Sequence, residues 1–400
     1  MAIDFSINPL TEEFRTNSAN YYTRLLQERP IAKTEQDQWL VCGYENVRRI
    51  LTDHDAFQRP TAALLDLKPE GPLKEFGHNN MVGMNPPKHT RFRQSAARGF
   101  SRKVVEAMKP KIERLIDVLL DDMVDKNEGD FIAEFAFPLP IYVICEMMGV
   151  SHQDHDLFGE CTAKMLASLE LSATPDVHEK GAAAAKILFD YCKLAALERE
   201  KNMGDDLISL LINKEREDKM SRDEIIWTLV TMLIAGHETT THMLGNGMLA
   251  LINHPEQYEL LVNKPELSAN ATEEILRFDP TLYVVFRESI YDVDMDGHQI
   301  AAGSFIIASL FAANHDPEVF ENPAKFDICR FNADKHLTFA AGRNLCLGHF
   351  LARLEGEIAF RKIFKRLKNF QLAGQPVPRN GLMFKGNLSL PMAWEAIGKA

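Results

Sequence analysis

The chain has 400 residues, 46% hydrophobic and 26% charged, so most of it carries enough apolar surface to fold and bulk disorder is excluded. A formal net charge of −12 argues against a nucleic-acid partner, because phosphate binding wants a basic surface. Six cysteines (Cys42, Cys145, Cys161, Cys192, Cys329, Cys346) include no Cys-x-x-Cys pair, which excludes zinc-ribbon and thioredoxin spacings; most are expected to be small buried hydrophobes in a reducing compartment.

In chain order, residues 1–15 have no positive n-region or apolar h-region, so no signal peptide is expected. Residues 37–43 read as a short strand and 44–51 as a helix. Residues 68–87, rich in Gly, Pro and Asn, read as a loop. From Lys109 onward, Ile112, Leu115, Ile116, Leu119, Leu120 and Met123 recur at helical spacing, and 182–200 is a second strong helix former. The charged run 214–219 reads as a solvated turn. Residues 223–254 predict one helix of about 30 residues, roughly 45 Å long, whose middle (227–236) is apolar on nearly all sides and should run through the core. The longest apolar run, about a dozen residues, falls short of the roughly 20 that cross a bilayer. Gly297, Gly303 and residues 305–308 suggest short strands. A final amphipathic helix follows Cys346, with Leu351, Leu354, Ile358 and Ile363 on one face. With no repeat and no low-complexity linker, the expectation is a mainly α fold with small β-sheets, in a single large domain over 1–400.

Three segments carry chemistry. Residues 339–348 set Cys346 between Gly342 and Gly348, just ahead of a helix. Free N–H groups and the positive end of a helix dipole favour thiolate, which can ligate a metal or act as a nucleophile; the plain alternative is a structural cysteine in a glycine-rich turn. Glu274 and Arg277, three apart on a helix, can pair locally, a weak signal because such pairs are common on solvated faces. In 235–240, a carboxylate and hydroxyls interrupt an apolar helix and are costly to bury without partners. The Thr239 hydroxyl can compete for the Ala235 carbonyl and open a polar notch. His237 and His242 are one residue too far apart for His-Glu-x-x-His, about 140° around a helix, so they cannot share one zinc.

Together these residues resemble the cytochrome P450 family, of the soluble bacterial type, over essentially the whole chain and with the motifs in order. The Cys346 segment resembles the haem-binding loop Phe-x-x-Gly-x-x-x-Cys-x-Gly, from Phe339 through Gly342 to Gly348, with His336 and Leu337 ahead of it. Glu274 and Arg277 match Glu-x-x-Arg, with Arg330 as third partner. Ala235, Gly236, Glu238 and Thr239 match the oxygen-activation motif. His89 and Arg93 match the His-x-x-x-Arg pattern that holds haem propionates, and Arg287 stands where a further propionate ligand is expected. Two positions depart from the pattern. Asn344 replaces the usual His or Arg, which removes a charge-assisted contact unless Arg343 substitutes, and Ala340 replaces a usual glycine.

The resemblance implies haem b ligated by Cys346, and a monooxygenase that hydroxylates or epoxidises an apolar organic substrate in natural-product metabolism. It casts Thr239 and Glu238 as the pair that delivers protons to O2. No reductase domain is expected after Cys346, so electrons would come from a ferredoxin or flavodoxin with its reductase. Arg91, Arg98, Arg102, Lys103, Lys109, Lys111 and Arg343 would steer an acidic partner, or form an ordinary solvated face. Met81, Val82, Met84, a lid over 166–175, Ile234, Ala235, Val284, Val285, Met383 and Phe384 are expected to line the substrate pocket. A cytoplasmic location is expected, with no membrane span and no nucleic acid. Three alternatives stay open: oxidative coupling or desaturation on the same fold; a haem-thiolate sensor, which has no use for the Glu238–Thr239 relay; and a haem-free protein using Cys346 as nucleophile, with His349 the histidine close in sequence to serve as base.

Overall fold

The longest apolar stretch of the sequence becomes the axis of the molecule. In the computed structural model, which describes residues 7–217 and 219–397, it lies in the helix Arg222–Asn253. A capping box starts that helix: the Ser221 hydroxyl accepts from the Glu224 N–H while the Glu224 carboxylate accepts from the Ser221 N–H. Every residue from Ile225 to Ile234 is buried. The hydroxyls of Thr228 and Thr231 are satisfied inside the helix by the carbonyls of Glu224 and Trp227, at 2.7 and 2.8 Å. Helices packed around this axis include Pro138–Met148, His155–Leu169, Pro175–Lys201, Ser268–Phe278 and His349–Arg366.

Distant parts of the chain share the sheets. The larger sheet has the order Ile31–Lys33, Trp39–Val41, Phe305–Ser309, Val284–Ser289, Phe57–Gln58. Trp39–Val41 runs parallel to Phe305–Ser309, with Trp39 opposite Ile306, and the other pairs are antiparallel. A three-stranded sheet joins Glu128–Asp130 to Pro391–Ala396 and Leu367–Leu372. No cut through the chain leaves these sheets intact, so the mainly α fold with small sheets forms one domain.

The structure changes four local expectations. Residues 68–87 are not a plain loop: Pro72–Asn79 is a helix and Met81–Gly83 a 3₁₀ turn. Pro72 suits a first helical turn, Gly71 takes φ 110°, and Leu73 and Phe76 turn inward, so the residues that suggested a loop are a helix start. The helix expected from Lys109 begins at Arg102 and runs through Pro110 to Val124. The helix over 182–200 extends to Pro175–Lys201, again with proline in its first turn. Residues 214–216 close the helix Leu207–Arg216, where bases suit the negative end of the dipole, and Lys214 and Lys219 clasp Glu217 at 2.9 and 2.7 Å.

One buried acid makes stability depend on pH. Glu355, inside His349–Arg366, leaves Oε2 without a hydrogen-bond partner, and burial pushes its carboxyl up to about 8. An unfolded glutamate titrates near about 4.3. The folded state therefore holds a proton that the unfolded state has already released, and stability falls as pH rises from the unfolded value through about 8. Glu355→Gln is expected to be the more stable protein at pH 9, by a few kcal/mol. That gap should close toward pH 5 in parallel denaturant titrations, and a gap independent of pH would contradict the assignment.

Candidate active site

The segment that carries Cys346 is a tight loop braced from three sides. The Cys346 N–H donates to the Phe339 carbonyl at 2.8 Å, closing the turn. Ala340 takes φ 57°, a left-handed conformation that costs a non-glycine residue about 1–2 kcal/mol, so its departure from glycine is a real strain. Gly342, at φ 64°, packs so closely on the helix Tyr44–Thr52 and the residues after it that a Cβ there would lie 2.6 Å from His54 Nε2. His54 in turn accepts from the Arg343 N–H at 2.9 Å, and its carbonyl accepts from the Arg343 guanidinium at 2.8 Å. Behind the loop, Arg353 lies 4.5 Å from the Phe339 ring centre and pairs with Glu273, whose Oε2 also lies 3.1 Å from His336 Nε2. None of His54, Glu273 and Arg353 was expected from the sequence, since each reaches the loop from elsewhere in the fold.

Cys346 sits three residues ahead of His349–Arg366, and Gly348 is that helix's N-cap. Burial pushes the thiol up, against the pull of the Gly348 N–H and of Arg93 and Arg353, so the helix terminus alone does not lower it as the sequence suggested. Cys346 is nonetheless exposed, and a Cβ on the neighbouring Gly348 would meet nothing within 4 Å. Of the other cysteines, Cys329 is exposed, and Cys42, Cys145, Cys161 and Cys192 are buried.

Cations without counter-charges converge beside this loop. His89 is buried, with Nε2 3.5 Å from Asn344 Nδ2, and burial together with Arg93 and Arg59 pushes its pKa down to about 4. Arg59 Nε and Arg287 Nη2 are buried without hydrogen-bond partners. Burial lowers Arg59 to about 10, and burial and then Arg59 lower Arg287 well below its ordinary value. Strand register explains the meeting: Gln58 pairs with Glu288, which sets Arg59 beside Arg287 across the sheet. Like charges so placed destabilise a sheet unless something neutralises them.

Midway along the axial helix the burial breaks: Ala235 is exposed and Thr239 half-buried between fully buried turns. The Thr239 hydroxyl donates to the Ala235 carbonyl at 2.8 Å, and the Thr281 hydroxyl donates to the Thr239 carbonyl at 3.0 Å. Glu238 points elsewhere. Its carboxylate lies 3.4 Å from His242 Nε2, 3.9 Å from His237 Nδ1 and 3.5 Å from Arg379 Nη1. Burial raises this carboxyl, but the contacts with His242, His237 and Arg379 outweigh it and hold it below the ordinary range.

Residues 30–390 match the family model for cytochrome P450. The chain belongs to the cytochrome P450 family. It is 37% identical over 317 residues to cytochrome P450 CYP107DY1 of Priestia megaterium, covering 78% of this chain and 76% of that one. It is 31% identical to 6-deoxyerythronolide B hydroxylase of Saccharopolyspora erythraea, covering 96% and 97%. The crystal structure of CalO2 superposes with a TM-score of 0.92 at 29% identity, over 98% and 100% of the two chains. The protein is thus a P450 monooxygenase.

A P450 works with a haem-thiolate group, and the residues of this P450 fit one. Cys346 is exposed on the loop, and Arg59, Arg93 and Arg287 have no carboxylate partner among the described residues. Buried unpaired charge is costly, and two propionates are the counter-charge this cluster lacks. Arg343 is engaged with His54 and does not take over from Asn344. Glu274, Arg277 and Arg330 meet in a fully buried cluster, with Arg277 donating to Glu274 at 2.7 and 2.8 Å and Arg330 at 3.1 Å; the pair that looked weak by spacing is part of the core.

The expected pocket residues divide. Met81, Ile234 and Phe384 are buried in the main apolar core, while Ala235 is exposed. Val82 is exposed on the 3₁₀ turn. Val284 and Val285 cannot line one pocket together, because successive strand residues point to opposite faces. Val284 packs with Tyr22 and Leu382, and Val285 with Trp39 and Ile306. Among the described residues no helix is long and apolar enough to cross a membrane.

Proposed function

We propose that this P450 inserts one oxygen atom into a C–H or C=C bond of an apolar natural product of the macrolactone kind. Two electrons from a cytoplasmic ferredoxin or flavodoxin and two protons reduce the second oxygen atom to water. The observation that carries the reading is the break in burial along the axial helix, where Ala235 is exposed and the Thr239 hydroxyl donates to the Ala235 carbonyl. The likeness to 6-deoxyerythronolide B hydroxylase and the apolar character of Met81, Ile234 and Phe384 support the substrate class.

Haem b bound to Cys346 supplies the iron at which O2 is reduced, and a thiolate ligand favours O–O cleavage. The chain's own residues do the rest. Arg59, Arg93 and Arg287 would hold and neutralise the propionates, with His89 and Asn344 as uncharged hydrogen-bond donors beside them. Apolar side chains keep water from the substrate, and Thr239 passes protons on to the oxygen, while Glu238 is turned toward His242, His237 and Arg379. Among the cations expected to steer an acidic redox partner, Arg91 is held by Glu224, Arg102 by Glu106 and Lys111 by Glu146. Arg98, Lys103, Lys109 and Arg343 carry no ion pair among the described residues, and Arg343 donates to the His54 carbonyl, which leaves Arg98, Lys103 and Lys109 to act.

Thr239→Ala tests the reading. It should leave haem content and the carbon monoxide spectrum unchanged, while the fraction of electrons recovered in product falls by at least about tenfold and peroxide rises. The substrate for the assay is an apolar macrolactone chosen by spin-state titration. Unchanged coupling would refute the role of Thr239.

A further inference from the structure

A short hairpin near the end of the chain, Val377–Asn380 paired with Lys385–Ser389, touches both the lid and the acid of the axial helix. Its turn encloses the carboxylate of Glu170. The N–H groups of Leu382, Met383 and Phe384 donate to that carboxylate at 2.9, 3.0 and 3.1 Å, and a Cβ on Gly381 would lie 2.0 Å from its Oε1. Three successive backbone donors form an anion nest, and charge-assisted bonds of this kind are among the strong ones. Glu170 is buried and is the C-cap of His155–Leu169, so it opens the lid connection that runs to Pro175–Lys201.

The hairpin's strands reach the axial helix. Arg379, three residues before Leu382, places Nη1 3.5 Å from Glu238 Oε2. Gly386 lies under the His242 ring, where a Cβ would come within 2.3 Å, and His242 Nε2 is 3.4 Å from the same Glu238 oxygen. The Lys385 N–H donates at 2.8 Å to the carbonyl of Thr281, whose hydroxyl bonds the Thr239 carbonyl. Sheet pairing makes so short a hairpin stiff, so a displaced turn carries both strands with it.

We propose that the hairpin ties the lid to the Glu238 carboxylate. Glu170 seats the turn, and the seated turn sets Arg379 and the His242 ring on that carboxylate. A docked lid therefore holds the Glu238 carboxylate turned from Thr239, and a raised lid frees it to move. Arg379, His242 and Glu170 are positioning residues in this scheme, acting through Glu238.

The tie can be read without turnover, so it stands or falls apart from the proton-delivery reading that Thr239→Ala tests. The probe is the ¹⁵N-histidine spectrum of the reduced, carbon monoxide-bound holoprotein, with His242 assigned by His242→Gln, alongside hydrogen exchange of the hairpin amides. Arg379→Gln should shift the His242 ring signals directly. Glu170→Gln should shift them too, although it lies on the lid, and should speed exchange of the Leu382–Phe384 amides by about tenfold or more. If Glu170→Gln does not yield folded protein, Gly381→Ala, which crowds the same carboxylate, is measured in its place. Faster turn exchange with His242 unchanged would show a latch with no tie and overturn the proposal. Unchanged exchange would show that Glu170 does not seat the turn, which overturns it equally.

Discussion

Cys346→Ala is expected to abolish the strongly red-shifted Soret band of the reduced carbon monoxide complex and to cut monooxygenase turnover by at least about a thousandfold, some 4 kcal/mol of barrier. The loop should survive the change. Its closing bond uses the Cys346 backbone N–H and the Phe339 carbonyl, and alanine keeps both. Arg353 against Phe339 and His54 against Arg343 do not involve the thiol either. What is lost is the sulfur. Cys329→Ala is the control, because Cys329 is the other exposed cysteine and lies outside the loop. Its spectrum should match that of the unaltered protein. A red-shifted band that survives Cys346→Ala would move the ligand elsewhere and take the cation cluster's role with it.

Legibility in the sequence followed the range of the interaction. Cys346, Glu274, Arg277 and Thr239 could be read because their motifs are local runs. The helix around Thr239 could also be read, because a long apolar stretch with a polar interruption has few other structures open to it. Arg59 could not. It is recruited by antiparallel pairing of Phe57–Gln58 with a strand some 230 residues away, and nothing local marks it. Glu273 hid beside a motif glutamate, and Arg353 looked like one more charge on an amphipathic helix. Glu170 and Arg379 are legible only once the lid and the hairpin have met. Residues 68–87 differ in kind: Pro72 and Gly71 suit a loop and a helix start alike, and the inward side chains Leu73 and Phe76 carry the signal that separates the two. The resemblance implies Val284 and Val285 together, whereas alternation along a strand turns them to opposite faces.

Glu274→Gln is expected to be the most damaging single change outside the cysteine loop. Glu274 is wholly buried and accepts from Arg277 twice, from Arg330 and from the Asp327 N–H at 2.9 Å. The amide keeps the volume but removes the charge and turns an NH2 group toward donors. Two buried guanidinium groups are then left without a counter-charge, a loss of about 3–5 kcal/mol when one partner of a buried pair is removed. Total stability is on the order of 5–15 kcal/mol, so the denaturant midpoint should fall sharply. The damage should also reach the haem. The Leu276 carbonyl, one residue before Arg277, accepts from the Thr338 hydroxyl at 2.6 Å, and Asn314 bonds both Thr338 and the Leu337 N–H just ahead of Phe339. A shifted Glu274 cluster therefore shifts the cysteine loop, and haem retention should fall with stability. Arg277→Lys separates charge from shape. Arg277 also donates to the carbonyls of Asn314, Pro323 and Lys325, at 2.9, 2.9 and 3.3 Å, and an ammonium group cannot span that fork. Lysine should thus be nearly as damaging as removal of the glutamate charge. Near-normal stability and haem content in Arg277→Lys would show that the cluster works as a point charge and that the fork geometry is dispensable.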